Sequence, residues 1–340
     1  MSKIMNRQRN RTLIITEGNH EKNKLIKIIL LAFPEIKIPE DNIIIYESNI
    51  YNLYNKIIRE YGQDWQEQDV DLPKCVAKWK NMGVKLEKID FTNVILIFDY
   101  ERQDPNFSEA TICEMQKYFS DINDVGQLYI NYPMVESYLD IDLKNSDDYE
   151  FRTFSADFSK GNEYKAIVKG NQVCNDVFLF HKLANRLEEI IHDKAIAENT
   201  AKNILIKFGM TDPQNEFYKI FSSVLAEKDA VSFSHHYLSI LKNMGYDMQA
   251  KSYFSYIRDI FMIITESNIR KALMIQGDDY HIDSEQLDDY YYEKMNLSEI
   301  LKKQNKESRN KQTGFIWVLN TSMYIISNYK FFWREFNSSL

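Results

Sequence analysis

The sequence predicts an α/β fold in which a mostly parallel sheet flanked by helices is followed by an all-helical carboxy-terminal domain. Three observations carry that reading. Short β-branched apolar runs alternate with segments of helical periodicity through residues 1–145. The most apolar run, Val94-Ile95-Leu96-Ile97-Phe98, has no polar interruption, as expected of a strand covered on both faces. From about Asn175 onward the strand signal gives way to successive helical segments.

The elements follow in order. Thr12 to Thr16 is a brief β-branched strand that stops at Glu17-Gly18. Asn19 to Phe33 carries Leu25, Ile28, Ile29 and Ala32 at helical spacing, and Pro34 ends it. Ile43 to Tyr46 is the second strand, and Ile50 to Tyr61 is a helix through Leu53, Tyr54, Ile57 and Ile58. The polar, acidic stretch Gly62 to Pro73 reads as an inserted loop before a helix over Lys74 to Met82. Asn93 to Phe98 is the third strand. Phe107 to Phe119 is a helix with Ser108 as its N-cap and Glu109 in its first turn, and Gln127 to Ile130 is the fourth strand. Strands alternating with helices pair in parallel through right-handed crossovers, so the strand ends should face one way. Residues 146–174 read as an irregular linker, and 175–340 as a helical domain with segments at Val177 to His192, Ala195 to Phe208, Gln214 to Glu227, His235 to Asn243, Lys251 to Met274, Ser284 to Lys303 and Gly314 to Phe336.

At 340 residues, with 44% hydrophobic and 14% aromatic side chains, the chain holds enough apolar area for two cores. Its formal net charge of -8 means that any contact with nucleic acid needs a local basic patch. Cys75, Cys113 and Cys174 have neither CxxC nor Cys/His spacing, so no zinc site or disulfide framework is expected, and a reducing cytoplasm is the natural location. Met1 to Arg11 is basic and polar rather than a signal peptide, and Phe315 to Ser327 is too short and too polar to span a bilayer. No membrane association is expected, and the oligomeric state stays open.

The chemistry gathers after the third strand, where Asp99, Glu101 and Asp104 follow the apolar run within six positions. Burying three carboxylates inside a sheet is costly, which places them at its carboxyl edge, where open α/β folds collect ligands. Three stretches in order, Ile15-Thr16-Glu17-Gly18-Asn19-His20-Glu21-Lys22-Asn23, Ile97-Phe98-Asp99-Tyr100-Glu101 and Asn131-Tyr132-Pro133-Met134-Val135-Glu136-Ser137-Tyr138-Leu139, resemble the Toprim fold. Within it they are most similar to RloB-like and overcoming-lysogenization-defect-like proteins. The resemblance covers residues 12 to 140. It implies a nuclease that uses Mg2+ or Mn2+ to hydrolyse phosphodiester bonds of DNA or RNA in bacterial defence against phage, including abortive infection. It further implies Glu17 as metal ligand or general base, Asp99 and Glu101 as principal ligands, and Glu136 as a further ligand, with Asp104, Glu21 and His20 as second choices. Magnesium prefers such hard oxygen donors, and a bound ion activates water and stabilises charge developing on phosphate.

The chain departs from the family pattern at one point: Asp99-x-Glu101 stands where Asp-x-Asp is usual, without the glycine that follows it. The alternative reading is therefore a catalytically degenerate Toprim-like interaction or sensor protein that binds a phage protein or regulates a partner ATPase. Cations for a nucleic-acid backbone are Lys3, Arg7, Arg9 and Arg11 in the amino-terminal arm, and Lys302, Lys303, Lys306, Arg309 and Lys311 in a polar connector between helices. A solvated connector is the other reading of the second cluster. The aromatic stripe Phe315, Trp317, Tyr324, Tyr329, Phe331, Phe332, Trp333 and Phe336 is expected to pack back on the protein as core.

Overall fold

β1 (Thr12–Thr16), β2 (Ile43–Ile45), β3 (Asn93–Asp99), β4 (Ser120–Asp121) and β5 (Gly126–Asn131) form one sheet in the order β2-β1-β3-β5-β4. This is a computed structural model; the structure describes residues 11–143, 152–156, 161–310 and 312–329. β2, β1, β3 and β5 are mutually parallel, and only the two-residue β4 on the edge runs antiparallel. β3 lies at the centre, and Val94 through Phe98 are buried, as an unbroken apolar run requires. Register aligns Thr16 of β1 with Ile97 of β3, and Asp99 of β3 with Asn131 of β5. The three strands thus end side by side. Gly126 starts β5 at φ +111 with Leu96 and Val94 of β3 against it, where an added Cβ would meet Leu96 at 3.0 Å. Glycine is what lets β5 leave its turn directly beside β3.

Helices α1 (Lys27–Ala32), α2 (Ile50–Tyr61), α3 (Leu72–Trp79) and α4 (Glu109–Tyr118) accompany the sheet. Asn49, Asp71 and Ser108 cap α2, α3 and α4, each accepting a backbone N–H three residues on, which fixes where the helices begin. Two expectations change here. The segment after Glu17-Gly18 is a wider π-helical turn at Glu21–Ile26 before it tightens into α1. The loop Gly62 to Pro73 is anchored rather than free, because Trp65 is fully buried against Tyr118 and Phe119.

The carboxy-terminal region is mainly helical: α5 (Gly161–Lys169), α6 (Gln172–Val177), α7 (Leu179–Ile191), α8 (Lys194–Leu205), α9 (Pro213–Ser222), α10 (Glu227–Asn243), α11 (Tyr253–Gln276), α12 (Ser284–Lys294) and α13 (Leu297–Glu307). The span 146–174, expected to be irregular, contains β6 (Thr153–Ser155), all of α5 and the start of α6. The helix expected over Ser284 to Lys303 is two, because Asn296 caps α13 by accepting the N–H of Glu299 and so breaks the run. The helix expected over Gly314 to Phe336 begins instead as β7 (Phe315–Trp317), paired antiparallel with β6. There Ile316 is buried between two half-buried aromatics, which is the period of a strand. Of the aromatic stripe, Tyr324 is fully buried and Tyr329 bonds Thr12 Oγ at 2.6 Å from its hydroxyl, while Phe331, Phe332, Trp333 and Phe336 lie outside the described residues.

Sheet and carboxy-terminal helices share one continuous apolar core. The long α11 packs on α1, and α13 packs on α4. Beyond β7 the chain lies along β5: Leu319 bridges Tyr132, Thr321 Oγ donates to the Ile130 carbonyl at 2.9 Å, and Ser322 Oγ donates to Asn131 Oδ1 at 2.8 Å. Among the described residues no helix is long and apolar enough to cross a membrane.

Candidate functional site

Glu17 follows β1 directly, and its backbone N–H still donates to Ile97 of β3. That bond fixes the first acidic corner against the second. Its Oε2 accepts the Asp99 backbone N–H at 3.0 Å, so the carboxylate lies across the end of β3. Burial, then repulsion from Glu101 and Glu21, pushes its pKa up to about 8, against the pull of the Asp99 N–H. Asp99 itself is held well above the usual carboxylate range by burial and by Glu17, Glu21, Glu136 and Glu101. Its Oδ1 is sealed from solvent and has no partner among the described residues. These groups sit close enough to resist losing their protons together.

Glu21 opens the π-helical turn, is buried, and accepts the Gly18 N–H at 3.0 Å. Burial raises its pKa, with Glu136 adding repulsion. Glu136 stands on a 3-10 turn, Val135–Leu139, which follows the cis Tyr132–Pro133 bond. Asn320 holds that turn by donating from Nδ2 to the Val135 carbonyl and to Ser137 Oγ, at 2.7 and 3.1 Å. The Glu136 carboxylate is buried, with Oε1 3.3 Å from Lys165 Nζ and Oε2 unpartnered among the described residues. His20 Nδ1 lies 3.6 Å from the same Oε1, too far for a hydrogen bond. Burial lowers the His20 pKa to about 4, against the pull of Glu136, so its ring is neutral at pH 7 and the contact is not an ion pair.

Glu101 and Asp104 lie at the outer side, joined through Asn49, whose Nδ2 donates to Glu101 Oε2 at 3.1 Å and to Asp104 Oδ2 at 2.6 Å. The same Asn49 caps α2 through its Oδ1. Asn49→Ala therefore removes a helix cap and the bridge between two like charges. We expect a loss of about 1 kcal/mol or more in denaturant unfolding, and an unchanged midpoint would show that the cap contributes nothing.

The structure thus brings Glu17, Glu21, Asp99, Glu101 and Glu136 into one electrostatically coupled group, with Asp104 and His20 on its margin. The basic cluster is not where it was expected. Lys302, Lys303 and Lys306 lie on α13 itself and Arg309 just beyond it, rather than in a connector, because Asn296 starts a helix that runs through them. Lys302 pairs with Glu299, and Arg309 pairs with Glu109 at 2.8 Å. Lys311, Lys3, Arg7 and Arg9 lie outside the described residues, and Arg11 is exposed before β1. Sequence reasoning missed two residues. Asn49 carries an N-cap signal before a periodic helix, whereas Lys165 lies on a helix with no recognised motif.

The donor set suits a hard divalent cation: carboxylate oxygens only, two of them buried without a partner, on acids whose mutual repulsion a cation would relieve. Among the described residues no three His, Cys, Asp or Glu side chains already stand where they share one ion. Glu17 is turned onto a backbone N–H, and Glu101 onto Asn49, so ligation requires these flexible side chains to rotate. Compared with known proteins, the chain matches no family model, no curated protein and no solved structure.

Proposed function

We propose that this protein is a metal-dependent nuclease with a Toprim-like sheet, hydrolysing phosphodiester bonds of DNA or RNA with Mg2+ or Mn2+, in bacterial defence against phage. The observation that carries the reading is the electrostatic coupling of Glu17, Asp99 and Glu101, at and just beyond adjoining strand ends, with Glu136 on the turn that follows β5, where Asp99 Oδ1 and Glu136 Oε2 have no partner among the described residues. Glu17, Asp99, Glu101 and Glu136 would hold the ion. When bound, it supplies a polarised water and charge stabilisation at the phosphate. Glu17 is the ligand or, alternatively, the general base, and in the metal-free protein its pKa is raised to about 8. Lys165 brings a positive charge within 3.3 Å of Glu136, and the neutral His20 ring lies 3.6 Å from the same carboxylate. The defence role rests on the family resemblance of the three motifs alone.

Glu17→Gln keeps the side chain's shape and its hydrogen bond to Asp99 while removing the base. We expect hydrolysis of DNA or RNA in the presence of Mg2+ or Mn2+ to fall by about 10²- to 10⁴-fold, the range contributed by general base catalysis. Full activity in this variant would sink the assignment of the base. A second reading, a degenerate interaction or sensor module that binds a phage protein or a partner ATPase, is favoured by one observation: no ligand trio is preassembled among the described residues. Failure of calorimetry to detect Mg2+ or Mn2+ binding selects it.

A further inference from the structure

A second set of cations, away from α13 in the chain, borders the acidic site through Lys165. Lys165 and Lys169 are four residues apart on α5 and so share one face, with Lys165 touching Glu136. The half-buried Phe178 at the junction of α6 and α7 carries Lys24 Nζ 5.4 Å above its ring, and the His20 ring lies 6.0 Å from it. The Lys24 carbonyl in turn meets His181 Nε2 at 3.3 Å, and the next residue, Lys182, donates to Asn175 Oδ1 at 2.9 Å. Lys24, Lys169 and Lys182 all reach the neighbourhood of Cys174 on α6 electrostatically. All three are exposed, and among the described residues none forms an ion pair. In a chain of net charge -8, three ammonium groups around one helix junction, none ion-paired among the described residues, are a concentrated positive surface. On and just beyond α13, by contrast, Lys302 and Arg309 are already paired with carboxylates.

We propose that Lys24, Lys169 and Lys182 form the track that carries the sugar-phosphate backbone of a nucleic acid up to the carboxylate site, with Lys165 as the last cation before it. The proposal rests on the nuclease reading for its direction. A phosphodiester strand fits because it is the polyanion whose next phosphate the acidic site with its cation would receive. The contacts involve the backbone alone, so the surface accepts DNA and RNA without reading sequence.

The test measures binding of fluorescein-labelled single-stranded DNA, and of the matching RNA, to the full chain across a salt series with no divalent ion present. Each phosphate neutralised contributes roughly 0.7 to the slope of log K against log salt for single strands. The variant Lys24→Gln/Lys169→Gln/Lys182→Gln is expected to lower that slope by roughly 2 and to weaken binding at least tenfold at low salt. Lys302→Gln/Lys303→Gln/Lys306→Gln should leave it unchanged. Because Lys24 lies on the Phe178 ring, Lys169→Glu/Lys182→Glu provides a second variant that keeps this contact, and it should lose binding more steeply. An unchanged slope in both track variants, or no binding by the intact protein, overturns the proposal. Loss of slope in a protein that hydrolyses neither polymer upholds the track and removes the nuclease; hydrolysis with an unchanged slope removes only the track.

Discussion

Asp99→Asn is expected to raise the thermal stability of the metal-free protein at pH 8 while removing divalent-ion binding and hydrolysis. The Asp99 carboxyl lies half-buried at the end of the central strand, with Oδ1 sealed from solvent and without a partner among the described residues, and with four other carboxylates acting on it. An ionised Asp there is opposed by both desolvation and repulsion, and a protonated one is held against its tendency to ionise in water. The amide is neutral at every pH and nearly isosteric, so the variant should melt above the intact protein. Hydrolysis should fall by at least about 10²- to 10³-fold, the scale of losing one electrostatic stabiliser of the transition state. Differential scanning fluorimetry with and without Mg2+, alongside a cleavage assay, checks both halves. A variant that melts lower than the intact protein at pH 8 would show that Asp99 is satisfied rather than strained.

Magnesium or manganese should raise the melting temperature strongly at pH 8 and hardly at all at pH 5. Without metal, the pKa of Glu17 rises from 4.5 unfolded to about 8 folded, so its contribution is fully present below pH 4.5 and is lost as pH rises through 8. His20 and His181 act in the opposite sense. Burial lowers both from 6.5 to about 4, so their contribution is present above pH 6.5 and is lost as pH falls through 4. The two effects oppose one another between about pH 4.5 and 6.5. From there to pH 8 the acids alone act, and each proton contributes a decline of at most about 1.4 kcal/mol per pH unit. A cation that replaces those protons removes the decline. At one hundred times its Kd it adds about 2.7 kcal/mol, or several degrees. Equal shifts at both pH values would place the ion on some other surface. No shift at either would leave the acidic cluster as the structural remnant of the degenerate reading.

Much of the fold was legible because the sheet obeys local rules. The run Val94 to Phe98 contains only residues that favour a strand buried on both faces, and the structure places it at the sheet's centre. Ser108 and Pro34 mark helix boundaries by chemistry that acts within four residues, and both boundaries stand close to where the pattern put them. The region beyond residue 145 was harder to read. Phe315 to Trp317 has too few residues to separate a strand's period from a helix's, and it becomes a strand because β6 lies beside it. Lys306 and Arg309 fall where the polar sequence suggests a connector, yet Leu301, Gln304, Asn305 and Ser308 are buried against the protein and hold Lys306 in a helix and Arg309 just beyond it.

For the candidate site the division is equally physical. The sequence by itself determined that Glu17 and Asp99 would stand at the same edge of the sheet, since a charged residue directly after a buried parallel strand has only the carboxyl edge to occupy; the strand order that makes them neighbours came from the structure. Only the tertiary structure decided the environment of Glu136. Its turn is held from one side by Asn320 and reached from the other by Lys165, residues 184 and 29 positions away in the chain. The structure alone also decided the protonation of the cluster, because desolvation and repulsion are sums over neighbours that the chain's order does not reveal.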